Sequence, residues 1–423
     1  MRKILLIAFY FGETDDIGAR RLTGLAEFLP QYGWEPVILA PRVTRKSNCA
    51  RRVVEVPYQD LLVKWKGALR LDAGKTLKMQ LELPESKERI CIDRIMNIWE
   101  ELIAYPDAMK DWRQLAVQSG IRLLQSESFD AILSSSYPPT SHLIAKDLKE
   151  KSGVPWIADL RDLWTQNHNY HYSPFRRLIE ERLERRTLSS ADVLITVSEP
   201  MSEKLANRYK SKNVHSIPNG FNPSEINPGI PLRKEFNITY TGNIYRGRQN
   251  PEPLFIALRE LQIEKKIDIA DIRINFFGTV AEWLQQYIEK YNLQQTARMF
   301  GRIPRDEALL RQRESQLLLL LTWNDSKEEG LYTGKIFEYL AAHRPILSIG
   351  ESGGVVRDLL EKTKAGIHTN MIPDIKDYII RSYQEHKTNQ GVKFMGIEAE
   401  IEKFSQLEMT KKFTIILDEI AGN

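Results

Sequence analysis

Cysteine is scarce in this sequence. Cys49 and Cys91 are the only cysteines in 423 residues. Two cysteines provide neither a disulfide framework nor the ligand spacing of a zinc site, which excludes a small disulfide-stabilised secreted fold. This cysteine usage is typical of a reducing compartment, and we expect a cytoplasmic protein.

Long apolar runs are missing as well. No segment approaches the roughly 20 apolar residues that a transmembrane helix requires. The apolar N-terminus resembles the start of a signal peptide, but the run stops within about ten residues, before Gly12, and lacks a small-residue cleavage site. We therefore interpret it as the first buried strand.

A strong net charge and a metal-ligand motif are also lacking. With 60 basic and 56 acidic residues the net charge is only +4, which gives no support for nucleic-acid binding. No Asp-x-Asp sequence occurs. His142, His168 and His171 are close in sequence, but no carboxylate or cysteine completes a convincing ligand set with them. The sequence therefore predicts no metal site.

The chain length predicts two domains, because 423 residues exceed what one hydrophobic core usually organises. Both halves alternate strand patterns with helical patterns, which is typical of parallel sheets covered by helices. We predict an α/β fold with two doubly wound, Rossmann-like domains. The predicted parts are an N-terminal domain at 1–217 with a helical insertion at about 60–105, a linker at 218–236, a C-terminal domain at 237–402 and a final helix at 403–423.

The segment from Thr333 to Leu347 carries the clearest functional pattern. A Gly turn brings the Thr333 hydroxyl, the Gly334 backbone and the Lys335 ammonium together where a helix begins, and helix N-termini favour anions. Glu338 follows Lys335 by three residues and projects from the same side of the helix. A cation for phosphates and a carboxylate for ribose hydroxyls would suit a nucleotide. A capped surface helix with an i,i+3 ion pair fits the pattern equally well.

A second glycine turn, within Tyr240–Pro251, follows a predicted strand. Gly242 lets the backbone approach a phosphate, which Arg246 and Arg248 could neutralise. Two arginines in a glycine-containing loop are, however, often solvated.

Two weaker patterns lie at further strand ends. Phe276–Val280 contains Gly278, and Phe300–Leu310 contains Ile303, whose backbone could pair with a base edge. An ordinary strand–turn–helix junction gives the same pattern.

Charged residues end a strand of the first half. Asp159, Arg161 and Asp162 follow one another in the segment Trp156–Asn167, where loops at strand ends carry function. Since buried charges need partners, an Asp159–Arg161 or an Arg161–Asp162 ion pair is the competing interpretation.

These blocks, in this order over nearly the whole chain, resemble retaining glycosyltransferases of the glycosyltransferase B fold, in the family 4-like group that includes bacterial polysaccharide and lipopolysaccharide transferases. The similar segments are FYFGETDDIGARR, SSYPPTSHLIAKDL, WIADLRDLWTQN, YTGNIYRGRQNP, FFGTV, FGRIPRDEALL and GKIFEYLAAHRPIL. Three positions depart from the pattern. Gly330 stands eight residues before Glu338, where many relatives have Glu; Asn243 and Arg161 stand where relatives often have Arg and His.

The resemblance implies two domains that face each other across a cleft, with the last helix crossing back to the N-terminal domain. It implies catalytic roles for Arg248, Lys335, Asp162 and Arg161, nucleotide-sugar binding by Gly18, Gly242, Arg246, Gly278, Ile303, Thr333, Gly334 and Glu338, and acceptor binding by Asp107, Tyr137, Asp159 and Trp164. Lys335 and Arg248 would stabilise charge on a departing diphosphate, and Glu338 would bind the ribose. No cofactor and no metal is implied, and a UDP-sugar is favoured over a GDP-sugar as donor.

The function implied is metal-independent transfer of a hexose from a nucleotide-sugar to a hydroxyl of a glycan or lipid-linked acceptor, in cell-surface polysaccharide synthesis. Two alternatives remain open, because Lys335 and Glu338 would suit all three functions. One is a nucleotide-sugar epimerase of the same fold, and the other is a non-catalytic nucleotide-binding scaffold subunit.

One segment suggests a membrane contact. Leu61–Lys78 interleaves apolar residues with five basic residues against a single acid, Asp72. This pattern suits a helix that lies on an anionic membrane surface, and we expect a peripheral contact with the inner face of the cell membrane. A soluble amphipathic helix packed on its own domain fits equally well.

Overall fold

The computed structural model describes residues 1–12, 17–42, 51–58, 105–167, 170, 172–226, 229–325, 328, 330–351 and 353–422. The segment Leu61–Lys78, both cysteines, His168 and His171 lie outside these residues, as does almost all of the insertion at about 60–105. The chain divides into two compact units. The first comprises Met1–Ile217 and Thr410–Asn423, and the second comprises Pro218–Met409.

A parallel sheet forms the core of the first unit. Its strands are β1 (Arg2–Ile7), β2 (Trp34–Pro41), β3 (Arg52–Val56), β4 (Ala131–Ser136), β5 (Trp156–Leu160), β6 (Val193–Thr196) and β7 (Asn213–Ser216). Their spatial order is β3-β2-β1-β4-β5-β6-β7, so the winding reverses at β1. Ile4 of β1 pairs with Pro36 in β2 and with Ala131 in β4. This order is that of a doubly wound sheet.

Helices connect these strands. They are α1 (Ile17–Phe28), α2 (Trp112–Ser126), α3 (Thr140–Ser152), α4 (Pro174–Leu188) and α5 (Glu199–Arg208). Ser173 caps α4, because its side chain accepts a hydrogen bond from the backbone N–H of Arg176 at 3.3 Å, and Pro174 occupies the first turn, where its missing N–H is not needed.

The second unit repeats the architecture. Its strands are β8 (Phe236–Thr241), β9 (Ile272–Phe277), β10 (Ala297–Gly301), β11 (Leu317–Leu321), β12 (Ile346–Ile349) and β13 (Gly366–Thr369), in the parallel order β10-β9-β8-β11-β12-β13. Its helices are α6 (Glu252–Ile263), α7 (Glu282–Lys290), α8 (Arg305–Arg313), α9 (Gly334–Ala342), α10 (Gly354–Thr363), α11 (Ile372–Asn389) and α12 (Glu398–Ile401). The predicted pair of doubly wound α/β domains is confirmed.

Some elements are absent from the sequence prediction. They are β3, α5, β13, α10, α11 and the short α12. β3 and β13 are edge strands of four or five residues that are only partly buried, so their sequences lack the continuous apolar run of the central strands. Segment 218–236, expected to be a linker, lies within the second unit.

The last helix, α13 (Gln406–Ala421), contributes its residues from Thr410 onward to the first unit. Asp418 accepts hydrogen bonds from Trp34 Nε1 at 3.0 Å and from Arg2 at 2.9 Å. Phe413 is fully buried, and the Arg21 guanidinium lies 5.0 Å from its ring centroid. These contacts hold the C-terminal segment against β1, β2 and α1.

A buried ion pair joins α1 to β5. Arg21 donates to both carboxylate oxygens of Asp159 at 2.9 to 3.1 Å, and the two side chains are 1% and 0% exposed. Ser135 Oγ donates a further hydrogen bond to Asp159 at 2.7 Å. The desolvation of both charges is thus offset by a bidentate geometry with an additional hydrogen bond.

Within the described residues, no helix combines the length and apolar character that crossing a bilayer requires.

Arg21→Met should lower the free energy of unfolding of the first unit by about 3–5 kcal/mol, because it leaves the Asp159 carboxylate buried without its cation. The measurement is the urea midpoint followed by tryptophan fluorescence. The double variant Arg21→Met, Asp159→Leu should recover most of this loss. Arg42→Met, which breaks an exposed pair with Glu55 at 3.5 Å, should cost less than about 1 kcal/mol. Equal losses for Arg21→Met and Arg42→Met would contradict the assignment of a buried structural pair.

Candidate functional site

Two glycines form a close backbone contact in the second unit, at the carboxyl ends of β8 and β9. Gly242 has φ +106° and Gly278 has φ +110°, conformations that favour glycine. A Cβ atom on Gly278 would lie 2.8 Å from the Gly242 carbonyl carbon. The second turn can therefore pack on the first only because Gly278 carries no side chain. In an open parallel sheet, this edge is where ligands bind.

Lys335, in the first turn of α9, lies directly against Gly242. A Cβ on Gly242 would stand 2.5 Å from Lys335 Cε and 3.1 Å from Nζ. The ammonium lies 5.3 Å from the ring centroid of Tyr240, a cation–π contact. Burial lowers the pKa of Lys335 to about 8, although the charge of Glu338 opposes this shift. Among the described residues, no carboxylate oxygen lies within 4.0 Å of Lys335 Nζ in an ion pair.

Glu338, one turn further along α9, is held by a polar network. Gln312 Nε2 donates to Glu338 Oε2 at 3.2 Å and to Thr241 Oγ1 at 2.9 Å. Arg305 Nε lies 3.9 Å from Glu338 Oε1. The carboxylate is thus fixed beside Lys335 with its side chain 14% exposed, which leaves it accessible to a hydroxyl donor.

The N-terminus of α9 carries unsatisfied polar groups. Thr333 occupies the N-cap position but its side chain makes no capping hydrogen bond, and its buried Oγ1 has no partner among the described residues. Gly334 and Lys335 follow as the first helical residues, whose N–H groups have no partner inside a helix. The helix terminus, Thr333 and Lys335 together favour an anion.

The loop after β8 carries Arg246 and Arg248, and both side chains are exposed. The Arg248 guanidinium lies 5.4 Å from the ring centroid of Trp323, which stacks on Tyr245 at 5.7 Å. The Arg248 carbonyl accepts a hydrogen bond from Asn324 N at 2.7 Å. This packing fixes Arg248 against the end of β11, whereas Arg246 projects from the exposed part of the loop.

Ile303 lines a cavity of about 220 Å³ between α8 and the sheet. Phe277 and Phe300 also line it and stack at 4.7 Å between centroids. Polar residues, among them Asn275 and Glu307, complete the wall. The cavity offers aromatic faces together with hydrogen-bonding groups, which are features that a planar ligand with polar edges requires.

In the first unit, three of the predicted residues line one pocket of about 300 Å³. They are Tyr137, Asp162 and Trp164, and Tyr172 and Glu180 lie in the same wall. Tyr137 is half-exposed, and burial raises the pKa of its hydroxyl far above its usual value, so that it stays a neutral donor. Trp164 is buried, and its Nε1 has no partner among the described residues. Aromatic surfaces with carboxylates and unused donors suit a polyhydroxy ligand.

Arg161 forms an ion pair with Asp162, at 3.2 Å between Nη2 and Oδ2. Of the two pairs that the sequence left open, this is the one observed, because Asp159 is bound to Arg21 instead. The Asp162 carbonyl also accepts a hydrogen bond from Ser136 Oγ at 3.0 Å.

Two of the predicted acceptor residues lie in the interior of the first unit. Asp107 is 1% exposed, and its carboxylate accepts hydrogen bonds from Met109 N and from both the N–H and the hydroxyl of Thr140. Burial raises the pKa of Asp107, and these hydrogen bonds counteract the shift. Asp107 and Asp159 therefore position the chain behind the pocket and do not line it. Gly18 lies in the first turn of α1, next to residues outside the described ranges.

Several residues of these sites carry no clear sequence signal. Gln312 and Trp323 reach Glu338 and Arg248 only through tertiary packing. Glu180 lies on the buried face of α4 and reaches the pocket from there. For Gln312 the sequence offers one weak signal, which is an uncharged polar residue placed between Arg311 and Arg313.

Comparisons with known proteins support the fold. Residues 18–220 match the family model described as glycosyl transferase 4-like domain. Comparison with curated proteins gives no significant match. Similar solved structures include a glycosyltransferase from Rickettsia africae ESF-5, with TM-score 0.61 and 14% identity over 100% of this chain and 99% of that one. Sucrose-phosphate synthase from Thermosynechococcus elongatus has TM-score 0.60 and 13% identity over 100% of both chains. Anabaena HepE in complex with UDP and glucose has TM-score 0.61 and 12% identity over 99% of this chain and 100% of that one. The predicted glycosyltransferase B fold is confirmed.

Gly278→Ala should destabilise the second unit strongly, because the new Cβ meets the Gly242 backbone at 2.8 to 2.9 Å and the residue keeps a positive φ. Gly247→Ala is the matched control, since Gly247 also has a positive φ but no atom lies within 4 Å of its Cβ position. We expect a loss of about 1–2 kcal/mol for Gly247→Ala and a clearly larger loss for Gly278→Ala, measured as urea midpoints. Equal midpoints would contradict the close backbone contact.

Proposed function

We propose that this protein is a retaining glycosyltransferase that moves a hexose from a nucleotide-diphosphate sugar to a hydroxyl of a glycan or lipid-linked acceptor. The observation that carries the proposal is the Lys335 ammonium, which is desolvated, lies on Gly242 and has its pKa lowered to about 8. An ammonium buried at this cost without a carboxylate in contact is suited to an anionic ligand that arrives from outside. The glycosyl transferase 4-like match over residues 18–220 makes a nucleotide-sugar the natural candidate.

In this proposal the donor lies at the carboxyl edge of the second sheet. Lys335, the N–H groups of α9 and Arg248 bind the diphosphate, and Arg246 adds a more exposed positive charge. Glu338 accepts hydrogen bonds from the ribose hydroxyls. The cavity at Ile303 takes the base, which Phe277 and Phe300 flank with aromatic surface. HepE, which has been crystallised with UDP and with UDP-glucose, supports UDP as the first nucleotide to test.

Transfer breaks the bond between the sugar C1 and the diphosphate oxygen and forms a bond from C1 to the acceptor oxygen. Negative charge grows on the departing diphosphate, and Lys335 and Arg248 stabilise it, a contribution that is usually the largest in such reactions. The proton of the acceptor hydroxyl passes to an oxygen of the departing diphosphate. Retention of configuration, with attack from the same face, rests on the family resemblance.

The acceptor site in this proposal is the pocket of Tyr137, Asp162 and Trp164. Their aromatic faces and hydrogen-bonding groups suit a sugar ring. Arg161 orients Asp162 through their ion pair. A role in cell-surface polysaccharide or lipopolysaccharide synthesis, a cytoplasmic location and a peripheral contact with the membrane belong to the same proposal and rest on the family resemblance.

Lys335→Ala should lower turnover at least tenfold, because a charge-assisted contact with phosphate contributes roughly 1.5–3 kcal/mol and about 1.4 kcal/mol corresponds to one decade.

The affinity of the wild type for UDP-glucose, whose diphosphate stays ionised at neutral and alkaline pH, should fall about tenfold from pH 7 to pH 9. The reason is that Lys335 with a pKa of about 8 loses its proton over this range, and only the ammonium binds the diphosphate.

Lys335→Arg separates charge from general damage, because it should keep the affinity at pH 7 and remove the decrease toward pH 9. Lys266→Ala, on an exposed lysine of the second unit, is the control for charge removal. Titration calorimetry supplies the affinities. A pH-independent affinity in the wild type, or full activity in Lys335→Ala, would rule out the phosphate role.

Product analysis by mass spectrometry tests the function itself. The chain is incubated with UDP- and GDP-sugars, with and without glycan and lipid-linked acceptors, and with or without EDTA. We expect a glycosylated acceptor whose formation survives EDTA, since cationic side chains and a helix terminus replace the metal. An altered nucleotide-sugar formed without acceptor would indicate an epimerase, and binding without turnover would indicate a scaffold. Loss of transfer in EDTA, restored by magnesium or manganese, would refute metal independence.

A further inference from the structure

Helix α4 of the first unit exposes apolar side chains where a solvated helix would be polar. Phe175 is 73% exposed, Leu178 is 53% exposed and Ile179 is 38% exposed. All three lie in the first two turns of the helix. Single exposed apolar residues are normal, but three on neighbouring positions of one helix face form a patch that calls for a covering layer.

The same face continues with arginine. Arg182, Arg185 and Arg186 are exposed, and their spacing of three, four and seven residues from Phe175, Leu178 and Ile179 places all six on one side of α4. Among the described residues, none of these three arginines forms an ion pair. We call this surface, made of Phe175, Leu178, Ile179, Arg182, Arg185 and Arg186, the outer face of α4.

The inner face of α4, which packs on the first unit, explains why apolar side chains of this helix are exposed. Three of its buried side chains are charged. Arg176 donates to Glu180 at 2.7 Å and to the Pro106 carbonyl at 2.9 Å. Glu184 accepts hydrogen bonds from the Thr165 backbone at 3.0 Å and from the Tyr209 hydroxyl at 3.0 Å. These networks satisfy the interior charges, and the apolar Phe175, Leu178 and Ile179 are left on the surface, whereas Leu188 at the end of the helix is buried.

We propose that the outer face of α4 docks on an anionic lipid bilayer. The three arginines complement a surface of repeated phosphates, and no acidic residue is part of the face. The neighbouring Glu181 turns to Arg177 and Arg208, at 3.5 and 3.7 Å. The apolar first turns supply side chains for the boundary between headgroups and acyl chains. The helix dipole explains arginines in the last turns, but it gives no reason for the exposed Phe175 and Leu178.

The inference assigns a surface to the peripheral membrane contact of the proposed function and rests on it in that respect, but vesicle binding by α4 does not require transferase activity. It does connect with the pocket of Tyr137, Asp162 and Trp164, since Glu180 on the inner face of α4 lines that pocket. A bilayer that holds α4 therefore holds one wall of the proposed acceptor site.

Sedimentation of the full chain with vesicles tests the proposal. The vesicles are equimolar phosphatidylglycerol and phosphatidylcholine, compared with pure phosphatidylcholine. The wild type should bind the anionic vesicles and be released by half-molar salt, which shortens the Debye length. Arg182→Gln, Arg185→Gln, Arg186→Gln together should lower the partition coefficient about a hundredfold, since each basic side chain near such a surface contributes about fivefold. Phe175→Ser with Leu178→Ser should lower it at least tenfold.

Two further variants make the test specific. Lys265→Gln, Lys266→Gln, Arg298→Gln removes the same charge from exposed positions of the second unit and should change binding less than twofold. Lys64→Glu, Lys66→Glu, Arg70→Glu reports on the predicted segment Leu61–Lys78. If this variant alone loses binding while the α4 variants bind like the wild type, the proposal is wrong.

A further experiment uses a variant that should still bind the vesicles and reports directly on the position of α4. Phe175→Trp should show quenching by brominated phosphatidylglycerol beyond that of the wild-type tryptophans, because position 175 enters the lipid. Absence of this quenching, or absence of vesicle binding by the wild type, overturns the proposal and would leave a protein partner as the occupant of the outer face.

Discussion

Lys335 occupies a volume that is open because Gly242 has no side chain. Gly242 packs against Gly278 at the ends of β8 and β9, and the lysine side chain lies on that contact at distances a Cβ would not permit. The ends of β8 and β9 are therefore coupled through a backbone contact, and α9 is coupled to them through the Lys335 side chain. Burial raises the energy of the ammonium, as its lowered pKa indicates, and the same low dielectric strengthens its attraction to an incoming anion. The buried Lys335 ammonium thus lowers the stability of the folded chain, and a bound anion would offset this loss.

The local part of this site could be predicted from the sequence, whereas its tertiary part could not. A glycine directly after a strand and a Lys–Glu pair three residues apart are consequences of short-range geometry, so the sequence alone draws attention to Gly242, Lys335 and Glu338, and the structure places Lys335 against Gly242. Gln312 and Trp323 come from other segments of the chain, and no periodicity in the sequence predicts that they reach this site. Asp159 illustrates the opposite error. A carboxylate at a strand end suggests a ligand, but its partner Arg21 is 138 residues away, and only the packed structure shows that the pair is interior.

Helix α4 shows a further limit of pattern reading. Apolar residues at helical spacing normally mark the face that packs on the core. In α4 the core face is instead built from Arg176, Glu180 and Glu184, whose partners Pro106, Thr165 and Tyr209 lie on separate segments. Sequence reasoning treats buried charge as an exception because it cannot supply those partners. Three charged side chains of α4 are thus buried, while Phe175, Leu178 and Ile179 are exposed beside further arginines.

The chain passes between the two units twice, once after Ile217 and once before Thr410, so the second unit is an insertion within the first. Asp418 completes the first unit by bonding Trp34 and Arg2, and Phe413 lies beneath Arg21. During synthesis these residues leave the ribosome after the whole second unit. The unit that begins first is consequently the one that is finished last, while the inserted unit can complete its own sheet beforehand. A single proteolytic cut between the units would also leave them covalently joined through the other connection.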